Sequence, residues 1–443
     1  MPRIALIGLG YVGLPTAVLL SETGNDVIGC DINETTVEKI LSGVSPLEDL
    51  DIDKRVKVAV GSGRLTATTK TTEAVSRSDV AIIIVPTPTK DGEEPDLRYI
   101  EMAAKDISKA LTRGQLVILE STVYPGVTEE ILLPILEESG LKAGVDFDLA
   151  YCPERYNPGD SLHTIDKTTR IVAGINENSI RRAVEIYSKI TKGGVIPVRD
   201  IRTAEAAKII ENTQRDLNIA LMNEFALILE KLNLDVIEVL EAASTKWNFN
   251  KYLPGAGVGG HCLPKDPYYL VKTAERHGYH AQIITAGRKI NDHMPHHVFH
   301  LLLKGLNENG KAVKGAKIVV LGLSYKENVG DTRKTPSLAL VEDLREMEAN
   351  IFVVDPYVKT EAVEKEFHLS RERHVSDLYY AFTNADAVIF MVSHREFANL
   401  DLKRVRGAMN KGAVFVDGRR KFSPEMIKAA GFVYKGVGAG RDN

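Results

Sequence analysis

The sequence predicts an α/β fold in which two doubly wound, parallel-sheet domains are joined by a long central helix. Short, continuous apolar runs followed by helical patterns recur in the first and last thirds of the chain, as expected for parallel strands buried on both faces. Residues 203–232 contain neither proline nor glycine, which is typical of one uninterrupted helix. A chain of 443 residues is also too long for a single ordinary core.

Composition and charge are those of an ordinary globular protein. Apolar residues make up 44% and charged residues 26%, and the net charge is −4, so we expect neither a nucleic-acid nor a membrane partner. The longest apolar runs, such as Val80–Val85, are too short to cross a bilayer, and Met1 leads into a strand rather than a signal peptide. Cys30, Cys152 and Cys262 are too far apart for a metal motif or a disulfide framework, which favours a reducing, cytoplasmic location without a metal.

The first predicted unit contains a glycine fingerprint in its expected setting. The apolar strand Ile4–Ile7 runs into Gly8–Gly13, which has the spacing G-x-G-x-x-G, and a helical pattern follows at Leu14–Thr23. The next strand, Asp26–Cys30, ends at Asp31. Strand, helix and acidic residue together predict a Rossmann-type dinucleotide site, and a purely structural glycine turn is the alternative.

Each residue of this fingerprint has a distinct expected task. Gly8 permits the tight turn, Gly10 lets the backbone approach a pyrophosphate, and Gly13 lets helix and strand pack closely. Asp31 accepts hydrogen bonds from the ribose hydroxyls and repels a 2′-phosphate, and no arginine adjoins it, so NAD is favoured over NADP. The expected cofactor contacts in this segment are Gly8, Gly10, Tyr11, Val12, Gly13 and Asp31.

Three more strands are predicted to end near the same cleft. They are Val80–Val85, Leu116–Leu119 and Leu149–Cys152. Ligands of open parallel sheets bind beyond the carboxyl ends of the strands, so Thr87, Thr122 and Glu154 are candidate site residues. Each of the three is equally well explained as a loop cap or turn residue.

The central helix carries both an apolar and a polar pattern. Ile219–Leu229 is apolar nearly all round, so it needs a domain junction or a subunit interface to cover it. Lys208, Asn212 and Asp216 share one face at four-residue spacing. That face is either a solvated stripe or a lysine and an asparagine directed at a reaction centre.

A cysteine in a glycine-rich loop follows a second helix, whose N-cap is Asp235 and which ends near Ser244. The loop Gly255–Asp266 places Cys262 after four glycines, with Lys265 and Asp266 just beyond it. This pattern predicts either a nucleophilic thiol or a buried structural cysteine.

The last third predicts a second α/β unit. Its strands are Lys317–Leu321, Ile351–Val354, Ala387–Val392 and Ala413–Val416, with a helix at Ser337–Glu346. The first loop, Gly322–Lys326, lacks the three-glycine spacing, so we do not expect it to bind a second dinucleotide in the same way. Lys326, Arg333 and Arg419 are candidates for phosphate contacts, with ordinary surface charge as the alternative.

Eight motifs, distributed over essentially the whole chain, resemble those of the UDP-glucose/GDP-mannose dehydrogenase family. They are Gly8–Gly13, Val85–Pro88, Glu120–Gly126, Cys152–Arg155, Glu205–Asn212, Gly257–Asp266, Gly322–Lys326 and Asp417–Arg419. The resemblance implies an NAD-binding Rossmann domain at 1–200, a central helical linker and dimerisation domain with the cysteine loop at 201–300, and a Rossmann-like UDP-sugar-binding domain at 310–443. It also implies a homodimer formed through the central helix.

The same resemblance implies a reaction and roles for residues. A sugar nucleotide's C6 alcohol is oxidised to a carboxylate with two NAD in succession; Cys262 is the nucleophile, and Lys208 and Asn212 stabilise the oxyanion. Asp266 and Glu154 handle protons or a catalytic water that Thr122 positions, and the principal base stays open between these two acids. The further contacts implied are Thr87, Thr122 and Arg333 for the cofactor, and Glu154, Arg155, Lys208, Asn212, Tyr252, Gly255, Gly259, Lys326 and Arg419 for the substrate.

One departure from the family pattern bears on the substrate. The UDP-glucose branch has a second glutamate where this chain has Pro158, and the surrounding segment resembles the branch that acts on UDP-N-acetylhexosamines. We therefore expect UDP-GlcNAc or UDP-ManNAc, with UDP-glucose or GDP-mannose as the alternative. An alcohol dehydrogenase that stops after one hydride transfer would not need Cys262, and a non-catalytic dinucleotide sensor would not need its helpers.

Overall fold

The protein folds into two compact units in the computed structural model. The first comprises Met1–Glu211 with Tyr268–Tyr279, and the second comprises Asn212–Pro267 with His280–Asn443. The structure describes residues 1–47, 50–90, 93–155 and 164–443. Pro158, on which the expected hexosamine preference partly rests, lies outside these residues. No helix in the described ranges is long and apolar enough to cross a membrane.

The first unit is built on an eight-stranded sheet. Its strands are β1 Arg3–Ile7, β2 Asp26–Cys30, β3 Leu65–Thr68, β4 Val80–Ile83, β5 Leu116–Leu119, β6 Asp148–Tyr151, β7 Arg170–Gly174 and β8 Val195–Pro197. The order is β3-β2-β1-β4-β5-β6-β7-β8, which contains the dinucleotide-binding order 3-2-1-4-5-6. All pairs are parallel except β6–β7. Neither β7 nor this antiparallel pairing was predicted, and a buried apolar run does not reveal the direction of its strand.

The second unit is built on a five-stranded parallel sheet. Its strands are β9 Lys317–Leu321, β10 Asn350–Val354, β11 Ala387–Phe390, β12 Val414–Asp417 and β13 Val433–Gly436. They lie in the order β10-β9-β11-β12-β13, so counted from β9 the order is 2-1-3-4-5, the other common doubly wound arrangement. The strand order reverses between β9 and β11, and the carboxyl ends of these two strands therefore mark the expected ligand crevice.

Sixteen α-helices occur in the described residues. Those up to the centre of the chain are α1 Gly13–Glu22, α2 Glu34–Leu41, α3 Leu50–Gly61, α4 Thr71–Ser76, α5 Arg98–Ser108, α6 Leu133–Glu137, α7 Glu177–Tyr187 and α8 Ile201–Lys231. The others are α9 Val236–Ser244, α10 Asp266–Arg276, α11 Gln282–Glu308, α12 Pro336–Glu346, α13 Thr360–Glu366, α14 Leu378–Ala381, α15 Leu402–Ala408 and α16 Pro424–Ala429. The predicted central helix is α8, and the side chain of Asp235 caps α9 as expected.

Alternation along the strands divides each core into two layers. In β1, Ile4 and Leu6 pack in one apolar cluster while Ala5 and Ile7 pack in another, because successive side chains point to opposite faces. In the second unit, Ile318 and Val320 face one cluster, and Val319 and Leu321 face the other. Both sheets are therefore covered on both faces, as the continuous apolar strands predicted.

The sequence did not predict α11, a helix of 27 residues. It contains Gly287 and Pro295, both of which disfavour a helix interior. Packing explains the glycine, because a Cβ at Gly287 would lie 2.4 Å from Leu217 Cδ2 on α8. Close contact between α8 and α11 thus outweighs the local helix propensity.

Candidate active site

The glycine fingerprint of the first unit has the geometry of a dinucleotide loop. Gly8 has φ +100°, and a Cβ there would lie 2.1 Å from the carbonyl oxygen of Ile84. A Cβ at Gly13 would lie 1.8 Å from the carbonyl oxygen of Gly8, so this glycine is needed for close packing. A Cβ at Gly10 would meet no atom within 4 Å. Gly10 therefore faces open space, which fits the close approach of a pyrophosphate.

Asp31 lies at the carboxyl end of β2 beside this loop. Its Oδ2 accepts a hydrogen bond of 2.9 Å from the Leu9 amide, and its Oδ1 accepts one of 3.0 Å from the Asn33 amide. These bonds orient the carboxylate, and each oxygen keeps a lone pair for a ribose hydroxyl. Tyr11 is 56% exposed and Val12 is the N-cap residue of α1. The residues present fit an NAD adenosine and pyrophosphate.

Two hydrogen bonds connect the loops after β4 and β5, which carry Thr87 and Thr122. Ser121 Oγ accepts a hydrogen bond from the Val85 amide at 2.9 Å and donates to the Val85 carbonyl at 2.8 Å. Thr87 is buried, and its carbonyl accepts a hydrogen bond of 2.5 Å from the Tyr269 hydroxyl on α10. Thr122 is half-buried. Both threonines thus lie on fixed loops at the carboxyl edge of the sheet.

Glu205, at the start of α8, is a site-building residue to which the sequence analysis assigned no role. Its buried carboxylate accepts hydrogen bonds from the Gly126 amide at 2.6 Å, the Thr128 amide at 2.9 Å and the Thr128 hydroxyl at 2.6 Å. Burial raises the pKa of Glu205 to about 6. Lys208 lies one helical turn further along α8 and is also buried. Glu205 therefore anchors the loop that carries Thr122 to the helix that carries Lys208.

Glu154 and Arg155, which follow β6, have different surroundings. Glu154 is 9% exposed and lies 3.5 Å from the guanidinium of the buried Arg170. Arg155 forms a two-point ion pair with Glu211 at 2.7 and 3.1 Å and donates to the Thr169 carbonyl at 2.9 Å. The Arg155 guanidinium is therefore held by protein groups in this structure, although we expected it to contact the substrate.

In the second unit, the cysteine loop presents an accessible thiol. Cys262 is exposed, whereas Cys30 and Cys152 are buried. Burial raises the pKa of each of these two thiols to about 12, so neither forms a thiolate near neutral pH. Of the three cysteines, Cys262 alone has the access that a nucleophile needs.

Polar side chains lie in the segment that follows Cys262. The Cys262 carbonyl accepts hydrogen bonds from the Asp266 amide at 2.8 Å and the Lys265 amide at 3.0 Å, which closes the first turn of α10. The Asp266 carboxylate is fully buried and accepts a 2.6 Å hydrogen bond from Asn212 Nδ2. The Lys265 ammonium lies 3.5 Å from the other oxygen of the Asp266 carboxylate. A backbone hydrogen bond thus links the nucleophile candidate to Asp266, and the Asp266 side chain in turn binds Asn212.

The loop after β9 packs against the glycines that precede Cys262. A Cβ at either Gly259 or Gly260 would lie 2.7 Å from the Tyr325 side chain, and the Gly260 amide donates to the Arg333 carbonyl at 2.9 Å. The Arg333 guanidinium forms a two-point ion pair with Asp331. The glycines therefore serve close packing of Tyr325, a neighbour that the sequence analysis did not predict.

His261 immediately precedes the nucleophile candidate and was likewise not predicted as a site residue. Burial, together with the positive charges of Lys265 and Arg333, lowers the pKa of His261 to about 3. His261 is therefore neutral at physiological pH. The sequence does not reveal that His261 is neutral, because its low pKa comes mainly from burial in the folded protein.

The loop after β12 supplies a cation to the start of the cysteine loop. A Cβ at Gly255 would lie 3.1 Å from Arg419 Nη1, and the Gly255 amide donates to Asn223 Oδ1 at 2.9 Å. Asp417 accepts the Arg419 amide at 3.0 Å and fixes the loop. No carboxylate lies within ion-pair distance of the Arg419 guanidinium in the described part of the chain. Such a cation suits an anionic ligand.

Two further predicted substrate residues lie in the same unit. Tyr252 is partly buried against the larger apolar cluster of that unit, and Lys326 is half-buried in the loop after β9, where its carbonyl accepts a 2.8 Å hydrogen bond from the Ser324 hydroxyl. Asp355, at the end of β10, accepts the Leu323 amide at 2.7 Å and the His394 Nε2 proton at 3.1 Å. The loops after β9 and β11 are therefore held together at the strand-order reversal.

Three family models match successive segments of the chain. They are the NAD binding domain of the UDP-glucose/GDP-mannose dehydrogenase family at residues 2–191, its central domain at 202–293 and its UDP binding domain at 319–424. The matches cover most of the chain in the family order. They agree with the fold, with the NAD-type geometry of the first unit and with the resemblance inferred from the motifs.

Individual relatives are similar over nearly their whole length. The chain is 40% identical to Protein CapL of Staphylococcus aureus, covering 93% of this chain and 95% of that protein. It is 38% identical to the UDP-N-acetyl-D-glucosamine 6-dehydrogenase of Salmonella typhi, covering 91% and 93%. The solved UDP-D-ManNAc dehydrogenase of Pyrococcus horikoshii superposes with a TM-score of 0.89 at 37% identity, covering 99% and 100%. The chain is therefore an NAD-dependent nucleotide-sugar dehydrogenase and belongs to the UDP-glucose/GDP-mannose dehydrogenase family.

Proposed function

We propose that the protein oxidises the C6 alcohol of a UDP-N-acetylhexosamine, UDP-GlcNAc or UDP-ManNAc, to the carboxylate in two successive two-electron steps. The observation that carries the proposal is the exposed Cys262 thiol, which lies four residues before the buried Asp266, whose carboxylate accepts a hydrogen bond from Asn212. An oxidation that stopped at the aldehyde would need no such nucleophile. Relatives similar over nearly the whole chain carry the names of UDP-GlcNAc and UDP-ManNAc dehydrogenases, which favours these substrates.

When bound, NAD would supply the hydride acceptor for each of the two oxidations at C6. Gly8, Gly10, Gly13 and Asp31 bind its pyrophosphate and ribose. Tyr11, Val12, Thr87, Thr122 and Arg333 complete the proposed cofactor contacts. In the first oxidation Asp266 or Glu154 takes the C6 hydroxyl proton, directly or through a water molecule.

Cys262 then retains the aldehyde. Its thiolate forms a bond to C6, and the carbonyl electron pair moves to oxygen, which gives a thiohemiacetal. Lys208 and Asn212 lie one turn apart on α8 and donate to this developing oxyanion; a donor of this kind is worth roughly 3 kcal/mol. Loss of the second hydride produces a thioester.

Hydrolysis completes the reaction. A water oxygen that Thr122 positions bonds to C6, a carboxylate takes the water proton, and the C6–sulfur bond breaks with its electron pair returning to Cys262. One alcohol, two NAD and one water thus give one carboxylate, two NADH and three protons. The further proposed substrate contacts are Arg155, Tyr252, Gly255, Gly259, Lys326 and Arg419. The position of the Arg419 guanidinium beside Gly255 supports a contact with the pyrophosphate.

The proposed assembly is a homodimer formed through the central segment 201–300, between a cofactor domain at 1–200 and a substrate domain at 310–443. Ile210, Leu221 and Ile228 on α8 are between 44% and 55% exposed. Their spacings of 11 and 7 residues bring them to one helix face. An exposed apolar stripe of this kind suits a second copy of the same helix. Light scattering should give twice the chain mass, and Leu221→Glu should lower the measured mass.

We also place the enzyme in the cytoplasm.

Coupled measurement of product and NADH tests the function. UDP-GlcNAc, UDP-ManNAc, UDP-glucose and GDP-mannose are supplied in parallel at limiting concentration, and one of the two hexosamines should yield two NADH per molecule. A yield of one would exclude the thioester route, and turnover of UDP-glucose or GDP-mannose alone would exclude the hexosamine assignment. Cys262→Ser should bind NAD normally and fail at or before the second oxidation.

A further inference from the structure

Arg170 is the centre of a buried charge cluster in the first unit. It is 3% exposed and lies on β7, next to the strand that Glu154 follows. Its Nη1 lies 3.2 Å from Glu120 Oε2, and its Nη2 lies 3.5 Å from Glu154 Oε2. One guanidinium therefore faces two carboxylates, of which Glu120 is fully buried and Glu154 borders the expected cleft.

Tyr187 and Glu120 fix the position of the Arg170 guanidinium independently of Glu154. It lies 4.9 Å from the ring centre of the fully buried Tyr187, and the Tyr187 hydroxyl donates a 2.5 Å hydrogen bond to Glu120 Oε1. Glu120 thus anchors the arginine through one oxygen and is itself anchored through the other. A side chain held in this way presents its second nitrogen in one fixed direction, which is toward Glu154.

The other titratable groups of the cluster do not compete for the positive charge. Burial raises the pKa of the Tyr187 phenol well above its usual value and raises that of the neighbouring Cys152 thiol to about 12. Burial also raises the pKa of Glu120, against the stabilising charge of Arg170. Glu120 and Glu154 are the two acidic side chains within ion-pair distance of the Arg170 guanidinium in the described residues.

A buried ion pair is a costly way to stabilise a fold, because an apolar pair of similar size often does as well. We propose that Arg170, fixed by Glu120 and Tyr187, is a positioning residue that holds the Glu154 carboxylate for hydrolysis of the Cys262 thioester. In that step Glu154 takes the water proton while the water oxygen bonds to C6 and sulfur leaves. The inference rests on the proposed function, since it assigns this hydrolytic step to Glu154.

Rapid-mixing kinetics with NAD and the UDP-hexosamine tests the proposal. Both oxidations precede hydrolysis, so a defect confined to hydrolysis leaves a burst of two NADH per active site, followed by slow turnover. Glu154→Gln should show this burst, with the steady-state rate lowered on the order of 10²-fold. Arg170→Lys keeps the positive charge but loses the planar guanidinium with its two terminal nitrogens. It should show the same burst, with the steady-state rate lowered at least about tenfold.

Arg170→Met alone leaves Glu120 buried without its cation and risks unfolding. The double variant Glu120→Gln/Arg170→Met removes both charges, and the carbonyl oxygen of the new amide can still accept the Tyr187 hydroxyl proton. We expect it to fold, to bind NAD like the parent and to keep the burst with slow hydrolysis. Arg182→Met is the matched control. Arg182 pairs with Asp148 at 2.6 Å at the other end of β6, and its loss should leave the kinetics unchanged.

The outcomes separate the inference from the proposed function. If Glu154→Gln gives the burst but the double variant turns over at the parent rate, Arg170 does not position Glu154 and the inference is wrong. Loss of fold in the double variant would make Arg170 a structural residue and would equally overturn it. If Glu154→Gln itself gives no burst while Arg170→Lys does, the assignment of hydrolysis to Glu154 fails instead.

Discussion

Gly10→Ala should separate cofactor binding from folding. The backbone of Gly10 is outside the positive-φ region, and an added Cβ would meet no protein atom within 4 Å. The fold therefore has room for alanine, and we expect the free energy of unfolding to change by no more than about 0.5 kcal/mol. The same methyl group would occupy the space through which a pyrophosphate approaches the backbone amides.

The expected loss in NAD binding follows from overpacking of that space. A methyl group forced into a well-packed contact typically costs about 1–3 kcal/mol, which corresponds to roughly a fivefold to 150-fold rise in Kd. At an NAD concentration of about 100 times the parent Kd, NAD stabilises the parent by about 2.7 kcal/mol. A tenfold rise in Kd reduces this stabilisation to about 1.4 kcal/mol at the same concentration.

Two measurements check the reasoning, and Gly13→Ala is the matched comparison. Urea unfolding without NAD should give the same stability for Gly10→Ala and the parent, and calorimetric titration should show the weaker binding. In Gly13→Ala the Cβ would lie 1.8 Å from the Gly8 carbonyl oxygen, so unfolding without NAD should be easier by roughly 3 kcal/mol or more. Parent-like NAD affinity in Gly10→Ala would refute the assignment of the open space to the pyrophosphate.

Three further predictions concern selectivity, pH and thiol reactivity. Asp31→Ala should lower the ratio of kcat/KM for NAD over NADP about tenfold or more, and an unchanged ratio would mean that Asp31 does not contact the ribose. Because burial raises the pKa of Glu205 from 4.5 to about 6, its contribution to stability is present below pH 4.5 and lost as pH rises through 6, by about 2 kcal/mol. Urea unfolding across this range should show the loss in the parent but not in Glu205→Gln, and parallel curves would contradict it. Iodoacetamide should modify the native protein at Cys262, and labelling of Cys30 or Cys152 before unfolding would contradict their burial.

Local pattern predicted much of the fold because the strands are buried on both faces. β2, β5 and β9 have the predicted bounds, and β5 is apolar throughout because its run ends where the chain leaves the core. The helix α11 was missed because Gly287 and Pro295 disfavour helix locally, and only the packing of α8 against α11 explains the glycine. Strand β7 was not predicted at all, and apolar character carries no information on strand direction.

The candidate site also contains residues that local sequence could predict and residues that it could not. The Gly8–Gly13 loop was recognisable because backbone geometry within one turn demands glycine at fixed spacing. Glu205 was assigned no role, although it anchors the Gly126–Thr128 segment, because its partners lie far away in the sequence. Tyr325 was missed for the same reason, since its contact with Gly259 and Gly260 exists only in the folded second unit.

The hydrogen bond between Asn212 and Asp266 bears on whether Asn212 can serve as an oxyanion donor. One N–H of the amide is engaged by the carboxylate at 2.6 Å, which at first suggests that the donor is already used. An amide nitrogen carries two N–H groups, however, so one remains. The buried Asp266 carboxylate prevents the amide from rotating and fixes the direction of that second N–H. A donor oriented before the charge develops needs no reorganisation as the oxyanion forms, which is the condition for strong electrostatic stabilisation. We therefore propose that Asn212 is a preoriented oxyanion donor and not an occupied one.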